Sequence, residues 1–164
     1  MSDAHLRPLS ENDLPRVFAL NTAAVPAVNE VPLDGLRSLA AMCSVALVAT
    51  VDEEVVGFVL ALEPGADYAS ENYRWFSARS SDFLYVDRIV VDPAAQGGGV
   101  GRAFYAAVDA EAESRGRDTV FCEVNTLPPN PESLAFHARL GFVEVGRQST
   151  KGGTVEVALL EHRL

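Results

Sequence analysis

The stretch from Asp82 to Arg102 constrains this chain most. Phe83 to Val91 is rich in aromatic and β-branched residues, the composition of a strand. Asp92-Pro93 breaks it. Gln96 to Gly101 is a glycine-rich turn, and Val100, Ala103, Phe104, Ala107 and Val108 follow at helical spacing, with Asp109, Glu111 and Glu113 on the water side. A strand, a glycine turn and a helix start together make an anion site. The first N–H groups of the helix lack intrahelical partners, the macrodipole favours negative charge, and glycine lets a ligand approach the backbone.

Two common phosphate loops do not fit. A Walker A loop needs Lys and then Ser or Thr after its last glycine, and here Arg102-Ala103 follows Gly101. The dinucleotide pattern starting at Gly97 and Gly99 would need glycine at Arg102, and it belongs early in a βαβ repeat. The spacing that fits is Gln96-x-x-Gly99-x-Gly101. It resembles the pyrophosphate loop of the GNAT superfamily of acyl-CoA-dependent N-acetyltransferases, (Arg or Gln)-x-x-Gly-x-(Gly or Ala). A second stretch, Asn130 to Phe142, is similar to that superfamily's second signature, an Asn opening a helix that closes with Leu-Gly-Phe. The order and separation of the two motifs agree with it. The resemblance covers essentially the whole chain, the first third by its pattern of elements alone.

That pattern starts with a strand at His5 to Leu9 and a helix through Leu14, Val17, Phe18 and Leu20, capped by Ser10 or Asn12. A loop between Pro26 and Pro32 leads to a second helix over about residues 33 to 42. Ser44 to Val51 and Val55 to Leu62 form a hairpin, with Gly57 marking a bulge or a close backbone approach. Residues 64 to 82 make a long aromatic connection, helical over about 72 to 78. After the central strand and its helix come a strand at Thr119 to Val124, a helix to Gly141 and a final hairpin around Lys151-Gly152-Gly153. The resemblance implies an α/β (α+β) GNAT fold over residues 1–164 as a single domain. Its sheet is mixed, mostly antiparallel and seven-stranded, with about four helices and splayed central strands.

At 164 residues one core is expected. A net charge of −10 argues against nucleic acid as partner and suits a cationic acceptor. No apolar run reaches membrane-spanning length, and the N-terminus lacks a signal pattern, so a cytoplasmic protein with no membrane partner is expected. Cys43 and Cys122 read as reduced thiols, and with His5, His137 and His162 they make no metal-binding cluster, so no metal is expected.

The resemblance implies acetyl-CoA as cofactor and a small-molecule or peptide amine as acceptor, with transfer by direct attack in a ternary complex and a homodimer common among relatives. Backbone N–H groups of Gly97, Gly98, Gly99, Val100, Gly101 and Arg102 would hold the pyrophosphate, with the Gln96 amide adding a bond. Ile89, Val90 and Val91 would run beside the pantetheine arm, and Asn130 would contact it or cap its helix. Glu123, in Phe-Cys-Glu-Val-Asn, resembles the general base of the branch that acetylates ribosomal-protein amino termini. A carboxylate in so apolar a strand needs a partner or a function. Asp87 is the competing base, and an ion pair with a neighbouring arginine is the structural alternative. His137 stands where the superfamily has a tyrosine acid. It is a proton donor, a hydrogen-bond partner of the sulfur, or no part of the chemistry, with Tyr85 and Tyr105 as fallback donors. Asn29, Glu30, Tyr73 and Trp75 are candidate acceptor contacts; the alternatives are a connecting loop and a cover for one end of the core. The substituted tyrosine also keeps a second function open, a CoA-binding regulatory module with weak or no turnover.

Overall fold

The computed structural model describes residues 3–164. Seven strands form one sheet in the order β1-β2-β3-β4-β5-β7-β6. They are β1 (His5–Pro8), β2 (Val45–Val51), β3 (Glu54–Leu62), β4 (Leu84–Val91), β5 (Thr119–Leu127), β6 (Val143–Thr150) and β7 (Val155–Arg163). The helices are α1 (Leu14–Ala24), α2 (Leu33–Met42), α3 (Glu71–Arg79), α4 (Val100–Ser114) and α5 (Pro131–Arg139). The mixed, mostly antiparallel GNAT architecture expected from the sequence is therefore present. It carries five α-helices where about four were expected, because α3 is a full helix within the long connection. Ser70 caps it by accepting from the Tyr73 amide, and Arg79 sits in its last turn.

Contacts divide the chain into two compact units. The first comprises Met1–Leu62 and Arg88–Val108. In it β1 and β3 flank β2, both antiparallel to it. The register shifts between Ala49 and Thr50, because β3 carries an extra residue, Val56, just before Gly57. Gly57 is also a close approach: a Cβ there would lie 2.7 Å from the Val90 carbonyl oxygen. Both readings of this glycine hold. Helix α1 enters through a turn in which Arg7 grips Asp13 with two bonds of 2.7 and 2.8 Å and Asp13 accepts from the Ser10 amide. These donors, the Arg7 guanidinium first, hold the Asp13 carboxyl down at about 2.

The second unit comprises Glu63–Asp87 and Asp109–Leu164. Here β5 and β6 both pair antiparallel with β7. Strand β5 runs parallel to β4, and their register covers Leu84↔Val120 and Tyr85↔Phe121. Phe76 stacks on Phe121 at 4.4 Å, and Phe83, Tyr73 and Tyr85 complete this aromatic core. One expected surface residue is not on the surface. Asp109 lies at the edge of the apolar stripe of α4 and is half-buried. Its Oδ1 makes no hydrogen bond, and His162 Nδ1 is 4.0 Å away. Burial pushes its carboxyl up, against the pull of His162.

Candidate functional site

The glycine turn is built as a cradle. Asp92 ends β4 by donating its amide to the Val56 carbonyl at 2.7 Å. Its carboxylate accepts from the Ala94 amide at 3.0 Å and from Arg16 of α1 at 2.7 Å. Those two donors, the Ala94 amide first, hold this carboxyl below the usual carboxylate range. The chain then turns through Gly97 and Gly99 at φ of 83° and 81°, a conformation that side chains with a Cβ resist. A Cβ at either position would meet no atom within 4 Å, so the turn is open to one side. Among the described residues, the amides of 97 to 102 donate no hydrogen bond; the first amide of the helix that does is Ala103, to Gly99 at 2.9 Å. Gln96, Gly97, Gly98, Gly99 and Arg102 are exposed, while Val100 anchors the helix in the core at 4% exposure. These residues fit an anion such as a diphosphate: donors without acceptors, no side chain in the way, and a helix start behind them.

Strand β4 alternates. Val86, Arg88 and Val90 are buried, while Asp87, Ile89 and Val91 are half-buried on the other face. The register of β4 with β5 covers Leu84↔Val120 and Tyr85↔Phe121.

The two candidate bases each have a phenol partner. The Tyr85 hydroxyl lies 2.8 and 2.7 Å from the two Glu123 carboxylate oxygens. The Tyr68 hydroxyl donates to Asp87 at 2.7 Å. Burial first, then the charges of Glu123 and Asp87, push the Tyr85 phenol well up, so it stays protonated. The Tyr85 hydroxyl is thus one partner of the Glu123 carboxylate, and a neutral one.

His137 lies inside the fold. It is 3% exposed, between the rings of Phe136 and Phe142. Its Nδ1 lies 2.7 Å from the Ser133 carbonyl oxygen, and a carbonyl only accepts, so Nδ1 carries the hydrogen. Burial lowers its pKa. A neutral ring in this tautomer carries its hydrogen on Nδ1. Asn130 caps α5, its Oδ1 accepting from the Ser133 amide at 3.4 Å, and its own amide donates to Asn125 at 3.1 Å.

The acceptor candidates separate. Tyr73 is 3% exposed, and its hydroxyl donates to the Glu63 carbonyl and accepts from the Ala66 amide, so it is a core residue and not a lining one. Trp75 packs on β6, where a Cβ added to Gly146 would meet its ring at 2.7 Å, and Arg79 lies 5.9 Å from the ring centroid. Asn29 is exposed, but its carbonyl and side-chain oxygens both accept from Arg88. Glu30 is exposed. Sequence reasoning missed Arg88 and Asn21, and it placed Tyr68 among the connection's aromatics without pairing it to Asp87. The alternation of β4 carried a signal for the first, since Arg88 falls between Val86 and Val90 on the inward face. Among the described residues no three His, Cys, Asp or Glu side chains group as metal ligands would, and no helix is long and apolar enough to cross a membrane.

The sequence model of the acetyltransferase (GNAT) family matches residues 16–142. No curated protein sequence matches the chain. Among solved structures, Ard1 from Thermoplasma volcanium superposes with a TM-score of 0.81 at 18% identity, over 98% of this chain and 97% of that one. The ribosomal-protein-alanine N-acetyltransferase from Brucella melitensis does so at 0.73 and 24% identity, over 98% and 99%. The yncA protein of Salmonella typhimurium, solved with its cofactor acetyl-CoA, gives 0.72 at 18% identity, over 99% and 95%. At these identities the likeness is one of fold.

Proposed function

This chain belongs to the acetyltransferase (GNAT) family, and we propose that it moves an acetyl group from acetyl-CoA to a primary amine by direct attack with both substrates bound. The observation that carries this reading is the row of amides at 97 to 102 with no acceptor among the described residues. Bound there, acetyl-CoA supplies the acetyl group as an activated thioester. Gly97 to Arg102 hold the diphosphate, with the Gln96 side chain beside them. Ile89, Val90 and Val91 offer main-chain donors and acceptors to the arm, and a backbone N–H aimed at the carbonyl oxygen stabilises the charge that develops on it. Asn130 adds a polar contact.

Glu123 takes one proton from the acceptor's ammonium, directly or through a water, and leaves a nucleophilic amine. Asp87 is the alternative base. As the C–N bond forms and the C–S bond breaks, the sulfur needs a proton. His137 does not supply it, and the amine's second proton or water does. Acidic thiols leave readily, so positioning and the oxyanion donor carry most of the acceleration. The charge of −10 favours a cationic acceptor, and the Brucella melitensis structure is named for a ribosomal-protein alanine.

The test is calorimetric titration with acetyl-CoA, then thiol release with a panel of primary amines and amino-terminal peptides. Saturable binding and turnover on at least one amine are expected. Gly99→Glu abolishes binding with unchanged circular dichroism; undiminished binding in that variant refutes the anchor. The neutral His137 favours one second reading, a CoA-binding regulatory module. Tight binding with no turnover on any amine selects it.

A further inference from the structure

We propose that Tyr85 is a positioning residue for Glu123, fixing the orientation of that carboxylate from inside the core while its own proton stays out of the transfer. This rests on the reading of Glu123 as the base.

Tyr85 is 0% exposed. Its ring is held by Tyr73 at 5.5 Å and Phe76 at 5.7 Å, and its backbone pairs in register with Phe121, two residues from Glu123 on the same face of β5. The hydroxyl therefore has little freedom, and it reaches both Glu123 oxygens. A phenol has one proton. Whether that proton points to one oxygen or is shared, the carboxylate plane turns only by breaking a bond to a rigid donor. Burial first, then the charges of Glu123 and Asp87, push the phenol's pKa well up, so the donor keeps its proton near neutral pH.

Such a donor is committed. It is not available to a departing sulfur, which removes Tyr85 from the fallback acids. The pairing at Asp87 is of another kind: Tyr68 is half-buried on the β3–α3 connection and reaches one oxygen. Of the two carboxylates, Glu123 is the one whose direction is set by the packed core. Direction matters for a base, since a misplacement of about 1 Å costs on the order of 100-fold in rate.

The test uses the full chain with Tyr85→Phe, Glu123→Gln and the double variant, assayed on the amine that gives turnover in the panel. Tyr85→Phe is expected to lower kcat about 10- to 100-fold with the KM for acetyl-CoA unchanged. The double variant should be no slower than Glu123→Gln alone, because both changes disable one unit. A loss in kcat that multiplies with that of Glu123→Gln means that Tyr85 serves only the fold, and overturns the proposal. So does full activity of Tyr85→Phe when Glu123→Gln is slow. Full activity of both single variants removes Glu123 as base, and the positioning role with it.

A readout without turnover is 13C NMR of carboxyl-labelled glutamate, with Glu123 assigned through Glu123→Gln. Asp87 on β4, with its Tyr68 partner, shares with Glu123 an influence on the Tyr85 phenol, and Leu159 of β7 is the cross-strand neighbour of Glu123. Removing the phenol removes a donor to the charged form, so the Glu123 titration should move up by about one pH unit. An unmoved titration overturns the proposal.

Discussion

Arg88 holds Asn29. The guanidinium on β4 donates to the Asn29 carbonyl at 2.8 Å and to its side-chain oxygen, and it donates to Asn21 of α1 at 2.9 Å. Asn21, 0% exposed, returns a bond from its amide nitrogen to the same Asn29 carbonyl at 3.1 Å. One buried cation thus ties a strand, a helix and the loop after it. Arg88→Lys keeps the charge and loses the fork. It is expected to lower stability by about 2–3 kcal/mol, since buried amide oxygens lose donors, and urea midpoints measure it. A change within about 0.5 kcal/mol would mean that the loop does not depend on the clamp.

Gly57 lets β4 lie where it does. Because a Cβ there would press on a backbone oxygen 2.7 Å away, relief requires moving Val90. Gly57→Ala is expected to cost about 1–3 kcal/mol and, more tellingly, to weaken acetyl-CoA binding, since Val90 belongs to the strand assigned to the arm. Calorimetric Kd at a temperature where the variant is folded separates the two effects. An unchanged Kd would remove Val90 from the cofactor path.

Asp109 carries a cost at neutral pH. Its folded pKa is raised by burial, so its unfavourable charge is absent below the unfolded value of about 4 and appears as pH rises through the folded one. Asp109→Asn should therefore raise Tm at pH 7, by about 1–3 °C for roughly 1 kcal/mol or less, and leave it unchanged near pH 3.5. A lower Tm at pH 7 would show that the His162 contact outweighs desolvation.

His137 makes stability pH-dependent in the opposite sense. Its folded pKa lies below the unfolded value, so its contribution is complete above about 6.5 and is lost as pH falls through the folded value. His137→Gln is expected to flatten the Tm–pH curve below pH 6.5. A parallel curve would mean that the ring titrates alike in the folded and unfolded chain.

What could be read in advance was local. The strand, the glycine turn and the helix from Val100 follow from β-branched content, φ demands and helical spacing over adjacent residues. The capping role of Asn130 follows from its place before Pro131. The partners were not legible, because they are distant in sequence: Arg88 finds Asn21 and Asn29 across 67 and 59 residues, and Tyr85 finds Glu123 across 38. Asp109 misled because it adjoins Val108 at the margin of an apolar stripe, where period alone does not say which neighbour wins. His137 misled for a different reason. Residue type gave its chemistry, whereas its tautomer is decided by the Ser133 carbonyl in the turn before it.

The bare amides of the glycine turn also have a kinetic signature. With no acceptor among the described residues for the N–H groups of residues 97 to 102, their hydrogens should trade with deuterium faster than those of the helix behind them. A ligand that binds through these groups would slow that trade at this one stretch. The turn thus reports its own occupancy, through isotope uptake, even before any acceptor is known.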